Sequence, residues 1–91
     1  MKSKKWDNIG FLLRSSTSVK ILKTLSKSFS PMTTVQIGKV VEISKSNVSP
    51  NLTKMRKRGF VICLNPDASK WRFYKITNYG KRMLKEFEKT R

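Results

Sequence analysis

The stretch that decides the fold is residues 33–64, TTVQIGKVVEISKSNVSPNLTKMRKRGFVICL. The spacing of its apolar residues predicts a helix, a tight turn, a second helix and then a strand. Gly38 is the small residue that allows the two helices to cross closely. One buried seam is predicted to run through both helices and their turn, formed by Ile37, Val41, Ile43, Val48, Leu52 and Met55.

The surface of the second helix outside this seam is polar and basic. Its residues are Ser46, Asn47, Ser49, Pro50, Thr53, Lys54 and Lys57. Small polar and cationic side chains suit a nucleic-acid groove far better than a second apolar partner. We therefore predict that the chain binds double-stranded DNA.

The charge of the chain points in the same direction. Lys and Arg number 21 against five Asp and Glu, a formal net charge of +16 in 91 residues. So large an excess repels itself, and a polyanion commonly completes the charge balance. Anionic membranes attract such chains too, but no apolar run approaches the roughly 20 residues that span a bilayer, and nothing resembles a signal peptide. We expect a cytoplasmic, nucleoid-associated protein.

Few residues favour catalysis or metal binding. The chain has no histidine, which removes the commonest general base and the commonest metal ligand. Cys63 is the only cysteine and lies in an apolar run, so we expect a buried structural thiol and no disulfide. The acidic residues form no pair suited to acid–base chemistry. We therefore predict no enzyme, no metal and no cofactor.

The length predicts one small domain. Residues 1–7 are expected to form a basic, mobile N-terminal arm, and residues 8–91 the domain itself. Asp7 or Asn8 is placed to cap a short first helix. A second helical stripe follows at 17–27.

Local signals delimit the two central helices. Thr33 and Gln36 have the spacing of a capping box, which predicts that the first of these helices covers 33–41. Ser44 is the natural cap of the next helix, and Gly59 ends it.

The last third of the chain predicts a hairpin and a final helix. Residues 60–64 and 71–76 are apolar and β-branched enough to pair as strands, and 65–70 has the composition of a hairpin tip. Thr77 is placed to cap the last helix. The predicted fold is therefore mainly α with a small two-stranded β-hairpin.

Short motifs follow one another in a characteristic order. They are LLRS at 12–15, VKIL at 19–22, IGK at 37–39, Val48-Ser49 with Leu52, RGFV at 58–61, LNPD at 64–67 and YKIT at 74–77 with Gly80. With a hairpin directly after the second central helix, they resemble a winged helix-turn-helix, and more closely the small archaeal transcription regulators of the ArsR/MarR-like group. The resemblance covers residues 8–88. It implies sequence-specific DNA binding, usually as a homodimer, to repress or activate a promoter. The cysteine and histidine sensor sites of metal-responsive members are missing.

Two residues depart from the pattern of that group. Glu42 stands in the turn where glycine is common, so we expect a less tight turn. Pro50 lies inside the second central helix, where it removes a backbone hydrogen bond. Either Ser49 and Pro50 begin the regular helix, or the helix is continuous but distorted; the unbroken spacing of the seam favours the latter.

The resemblance makes 45–58 the recognition helix, which enters the major groove, and 64–72 the wing, on adjacent backbone or in the minor groove. The predicted DNA contacts are Lys45, Ser46, Asn47, Ser49, Asn51, Thr53, Lys54, Lys57, Lys70 and Arg72.

Side-chain chemistry assigns roles within this set. Asn47 can offer a paired donor and acceptor to adenine, and the hydroxyl groups can reach base edges or phosphates. The lysines are expected to hold phosphates, which fixes register without reading sequence. Helix capping is the alternative role for the serines and Asn47. Arg56 and Arg58 are expected to lie at the edges of the seam, and Trp71 to pack across the hairpin.

Assembly and function class complete the expectations. Apolar residues near both ends of the chain predict a homodimer built on the terminal helices, through Ile9, Leu12, Leu13, Met83, Leu84 and Phe87. Alternatively, these stripes pack on each other within one chain. A promoter-binding regulator is the leading function, against a nonspecific architectural DNA binder and an interaction module of the transcription machinery.

Overall fold

A computed structural model describes residues 4–90 of the chain. Within that range it contains five helices and three short strands. In chain order they are α1 (Lys4–Arg14), α2 (Ser16–Lys27), β1 (Met32–Thr33), α3 (Thr34–Val41), α4 (Lys45–Lys57), β2 (Val61–Cys63), β3 (Phe73–Ile76) and α5 (Asn78–Thr90). The mainly helical winged helix-turn-helix predicted from the sequence is confirmed.

The N-terminal segment differs from the prediction. Helix α1 begins at Lys4, so the mobile arm predicted for 1–7 is wrong from that residue onward, and the residues before it lie outside the described part. Asp7 and Asn8 lie inside the helix and do not cap it. Both accept hydrogen bonds from Nη1 of Arg58, at 3.2 and 2.8 Å. A cation distant in sequence therefore holds the first turns of α1.

The starts of the central helices follow local chemistry. Thr33 Oγ1 accepts from the N–H of Gln36 at 3.2 Å, and Gln36 Oε1 accepts from the N–H of Thr33 at 2.9 Å, so the capping box is confirmed. Ser44 occupies the N-cap position of α4, but its side chain caps nothing. Its hydroxyl oxygen lies 3.0 Å from that of Ser46.

The turn between α3 and α4 is tight. Glu42 adopts the left-handed conformation, with φ 59° and ψ 44°, and its N–H donates to the carbonyl of Gly38. The N–H of Ile43 donates to the same carbonyl at 3.0 Å. The expectation of a looser turn is therefore wrong, because Glu42 takes the conformation that glycine usually supplies.

Helix α4 is continuous through Pro50, as favoured from the spacing of the seam. The imide nitrogen of Pro50 carries no hydrogen, so the carbonyl of Ser46 lacks its usual helical donor. At the other end, Gly59 has φ 82°, and the N–H of Phe60 donates to the carbonyl of Met55 at 2.9 Å. This Schellman arrangement confirms Gly59 as the residue that ends the helix.

The sheet has one strand more than the predicted hairpin. Its order is β1-β3-β2, and both pairings are antiparallel. Thr33 in β1 lies opposite Phe73, and Val61 in β2 lies opposite Ile76. Strand β1 therefore ties the start of α3 directly to the wing.

The core contains most of the residues predicted to mediate dimerisation. Five of them are buried in the single chain and belong to one cluster with the seam: Ile9, Leu12, Met83, Leu84 and Phe87. The prediction of a dimer contact is wrong for these five, because α1 packs on α5 within one molecule and covers them. Leu13 alone of the six is exposed, at 56%.

Helix α5 approaches the sheet through a glycine. Thr77 Oγ1 accepts from the N–H of Gly80 at 2.9 Å, which confirms Thr77 as the cap. A Cβ atom at Gly80 would lie 2.2 Å from the carbonyl oxygen of Phe60. Only glycine permits this distance between α5 and the residue preceding β2.

Candidate nucleic-acid interface

The exposed face of α4 carries most of the predicted DNA contacts. Val48, Leu52 and Met55 are fully buried, and this turns the intervening positions outward. The exposed predicted residues are Lys45, Ser46, Asn47, Ser49, Thr53, Lys54 and Lys57. The side-chain amide of Asn47 forms no hydrogen bond with the residues that the structure describes. It is therefore available to a ligand.

A cleft between α4 and the wing brings four predicted contacts together. Lys45 and Ser49 line it from the helix, and Lys70 and Arg72 line it from the wing. Its floor includes the first residues of α3. Within 4–90, therefore, the two elements expected to touch DNA border one concave, cationic surface.

The other predicted contacts on α4 lie outside this cleft. Thr53 and Lys57 border a shallow depression with Arg56 near the C-terminal end of the helix. Lys54 and Lys57 also border a depression against α1. Thr53 Oγ1 donates to the carbonyl of Ser49 at 3.2 Å, which leaves its lone pairs free to accept. The cationic surface thus follows the length of α4.

Asn51 is the exception among the predicted contacts. Its side chain is half-buried, and Oδ1 accepts from the hydroxyl of the fully buried Ser18 at 3.0 Å. Its Nδ2 donates to the carbonyl of Asn47 at 2.8 Å. The amide is engaged between α4 and the start of α2, so Asn51 helps to position α4. Its DNA contact stays a prediction.

Asn65 organises the wing, a role that the sequence analysis missed. Its Oδ1 accepts from the N–H of Phe73 at 2.8 Å, and its Nδ2 donates to the carbonyl of Trp71 at 3.0 Å. Its own carbonyl accepts from the N–H of Ala68 at 3.0 Å, closing a turn. The Asn-Pro-Asp sequence was the available signal, since asparagine side chains commonly bond nearby backbone in turns.

Arg58 is a second residue whose role the sequence analysis underestimated. Besides bonding Asp7 and Asn8, its guanidinium lies 4.3 Å from the ring centroid of Phe11. Asn8 in turn donates to the hydroxyl of Tyr79 at 2.6 Å. Arg58 therefore joins the end of α4 to α1 and, through Asn8, to α5. No local sequence signal predicts these contacts, because Asp7 and Asn8 are about fifty residues away from Arg58 in sequence.

The acidic residues are distributed unevenly. Helix α4 has none, whereas Asp7, Glu86 and Glu88 all lie on α1 and α5. Glu86 accepts from Lys5 Nζ at 2.6 Å and lies 3.7 Å from Lys89 Nζ. The hydrogen bond and the charge of Lys5 lower the pKa of the Glu86 carboxyl below its usual value. The ion pairs of α5 thus lie away from the cationic face of α4.

The described residues contain neither a cluster of metal ligands nor a helix that could span a membrane. No group of three or more His, Cys, Asp or Glu side chains there is arranged to hold a metal ion. None of the described helices has both the length and the apolar character to cross a bilayer.

Comparison with known proteins identifies the family. A family model described as "Bacterial regulatory protein, arsR family" matches residues 15–62, more than half of the chain. The chain belongs to the arsR family. The matched range runs from Ser15, the N-cap of α2, through α4 into β2. No curated protein matches this arsR-family chain in sequence.

Solved structures of MarR-type regulators share the fold. The apo form of MarR from E. coli aligns with a TM-score of 0.72 at 19% identity, over 94% of this arsR-family chain and 66% of that one. BldR from Sulfolobus solfataricus aligns with a TM-score of 0.72 at 23% identity, and the alignment covers 91% of this chain and 60% of the BldR chain. MarR of Staphylococcus aureus in complex with salicylate and kanamycin aligns with a TM-score of 0.69 at 19% identity, and the alignment covers 80% of this chain and 49% of that MarR chain. This arsR-family chain thus spans two thirds or less of the length of each.

Proposed function

We propose that this chain is a sequence-specific, double-stranded DNA-binding transcription regulator. Helix α4 enters the major groove, and the wing at 64–72 lies on adjacent backbone or in the minor groove. The observation that carries the proposal is the cleft in which Lys45 and Ser49 of α4 face Lys70 and Arg72 of the wing. The membership of the arsR family supports the same function.

The exposed side chains of α4 divide into those that suit base recognition and those that suit phosphate binding. The free amide of Asn47 suits bidentate recognition of an adenine edge, which carries sequence information. The lysines of α4 suit phosphates, which give affinity and register without sequence information. Asn51 contributes indirectly, because its bond to Ser18 fixes the rotation of α4.

We also propose that the chain acts as a homodimer through the outer face of α1. Trp6 and Leu13 are seven positions apart, hence on one helix face, and are 63% and 56% exposed. Binding of an inverted repeat then requires the two recognition helices to lie about 34 Å apart, one on each half-site. Light scattering tests this: a stable 10.6 kDa particle that stays monomeric with DNA contradicts the dimer.

Selection of bound fragments from genomic DNA, at stated salt, tests the function itself. A regulator enriches fragments that share a motif. A nonspecific architectural protein enriches none, and an interaction module of the transcription machinery retains little DNA at all. An archaeal source and association with the nucleoid stay predictions.

A further inference from the structure

The wing exposes a tryptophan two residues before β3 begins. Trp71 is 66% exposed, although the sequence analysis expected it to pack across the hairpin. That expectation is wrong, and the backbone of Trp71 is left-handed where a residue of a strand would be extended. An exposed indole forgoes the free energy that burial of so large an apolar side chain provides. A large aromatic group held in water is therefore a candidate contact.

The backbone around Trp71 is held in an unusual conformation. Trp71 has φ 57°, in the left-handed region that bulky residues rarely adopt. Asn65 binds its carbonyl at 3.0 Å, and Arg72 Nε donates to the carbonyl of Ala68 at 2.8 Å. Backbone strain of this kind concentrates at binding sites, where the surroundings maintain it. The wing thus fixes the position of Trp71 before any ligand arrives.

The surroundings of Trp71 indicate what covers it. Its chain neighbours are Lys70 and Arg72, and it borders the same cleft as Lys45 and Ser49. A partner must therefore present anions beside an apolar surface. DNA does so at the minor groove, where phosphates flank deoxyribose and the edges of the base pairs, and where an apolar side chain can enter between two base pairs.

We propose that the wing inserts Trp71 into the minor groove, where the indole partly unstacks one base step and bends the duplex. This inference rests on the proposed function, since the wing must lie at the minor groove. Flexible pyrimidine–purine steps unstack most easily, so such a step at the wing position is favoured. Trp71 then selects sequence through deformability, whereas Asn47 selects it through hydrogen bonds.

The test compares the Trp71→Ala variant with the wild-type protein on a duplex recovered from the genomic selection. Energy transfer between dyes at the duplex ends reports bending, and 2-aminopurine placed beside the step reports unstacking. We expect the wild-type protein to shorten the end-to-end distance and to raise the 2-aminopurine fluorescence. Trp71→Ala should abolish both changes and weaken binding roughly tenfold. Trp71→Phe should retain part of each.

Phe29→Ala is the matched control, because Phe29 is a fully exposed aromatic residue outside the wing and the cleft. It should leave bending and fluorescence at wild-type values. Equal bending by wild type and Trp71→Ala overturns the proposal, as does a Trp71→Ala variant that changes only the oligomeric mass. If the wild-type protein binds no duplex, the proposed function fails instead. Circular dichroism verifies that each variant is folded.

Discussion

Glu42 occupies a backbone conformation that costs free energy for any residue with a Cβ atom. Its φ of 59° closes the turn between α3 and α4. Because glycine reaches this region without steric cost, Glu42→Gly should raise the free energy of unfolding by about 1 kcal/mol. The shift in the urea midpoint, at constant slope, measures the change.

Glu42→Ala is the control, because it removes the same charge but keeps a Cβ atom. It should bring little of the gain. Equal stabilisation by both variants would trace the effect to charge and contradict the role of the backbone.

Asn47 and Lys57 separate sequence reading from phosphate binding. Asn47→Ala should weaken discrimination at one base pair by about 1–3 kcal/mol, because its bidentate bond to adenine is lost. Lys57→Ala should weaken binding to all duplexes alike. Competition titrations with the selected duplex and its single-base variants distinguish the two effects. If both variants weaken binding equally to specific and to random DNA, the protein is a nonspecific architectural DNA binder and the proposed regulator is contradicted.

Gly80 and Gly10 both lie in helices but have different neighbours, so the same substitution by alanine should change stability in opposite directions. Gly80→Ala should destabilise the fold by about 1–3 kcal/mol, because the added Cβ would collide with the carbonyl oxygen of Phe60 and push α5 from the sheet. In Gly10→Ala the methyl group meets only the end of Arg14, at 3.8 Å, and helix propensity improves by about 0.5–1 kcal/mol. Opposite shifts in melting temperature are expected. A Gly80→Ala protein as stable as the wild type would contradict the close packing of α5.

The elements that sequence reasoning placed well are those with local signals. The capping box of α3 and the Schellman end of α4 need only residues within a few positions of each other, so Thr33 and Gly59 were predictable. Strand β1 is too short for a periodic pattern, and its partner Phe73 lies forty positions away. Pairings over such distances are decided by the assembled fold and leave no trace in a local window.

The candidate site divides in the same way. Lys45 and Ser49 face outward because the seam positions beside them are buried, and the spacing alone conveys that. The hydrogen bond of Asn51 to Ser18 was not predictable, because Ser18 belongs to another helix. The packing of Trp71 was predicted wrongly, because no sequence signal beside it indicates a left-handed φ. The hydrogen bond from Asn65 to its carbonyl depends on the folded shape of the wing.

At the scale of the molecule, the charge of +16 predicts steep salt dependence of DNA binding. Lys45, Lys54, Lys57, Lys70 and Arg72 would displace condensed counterions at about 6–10 phosphates per dimer, so log K should fall steeply and linearly with log salt. Fluorescence anisotropy at several salt concentrations gives the slope. Affinity that barely changes between low and moderate salt would contradict the electrostatic interpretation.

The ion pair between Lys5 and Glu86 predicts a pH dependence of stability. The pKa of Glu86 is lowered in the folded chain from its usual 4.5, so its contribution is present above that value and is lost as the pH falls through the folded pKa. Glu86→Gln should therefore melt below the wild type at neutral pH and converge with it in acid. Glu88→Gln, on the same helix but without an ion pair among the described residues, is the control. A difference that persists unchanged in acid would contradict the assignment.

The pairing of β1 with β3 has a consequence for regulation. Thr33 belongs to this pairing and also caps α3, which packs on α4, so β3 at the base of the wing is tied to the recognition helix. An inducer that displaces β3 would therefore have to break its pairing with β1. In the proposed homodimer, control of DNA release is therefore expected to act by altering the separation of the two copies on the operator, and to leave the β1–β3 pairing of each copy unchanged.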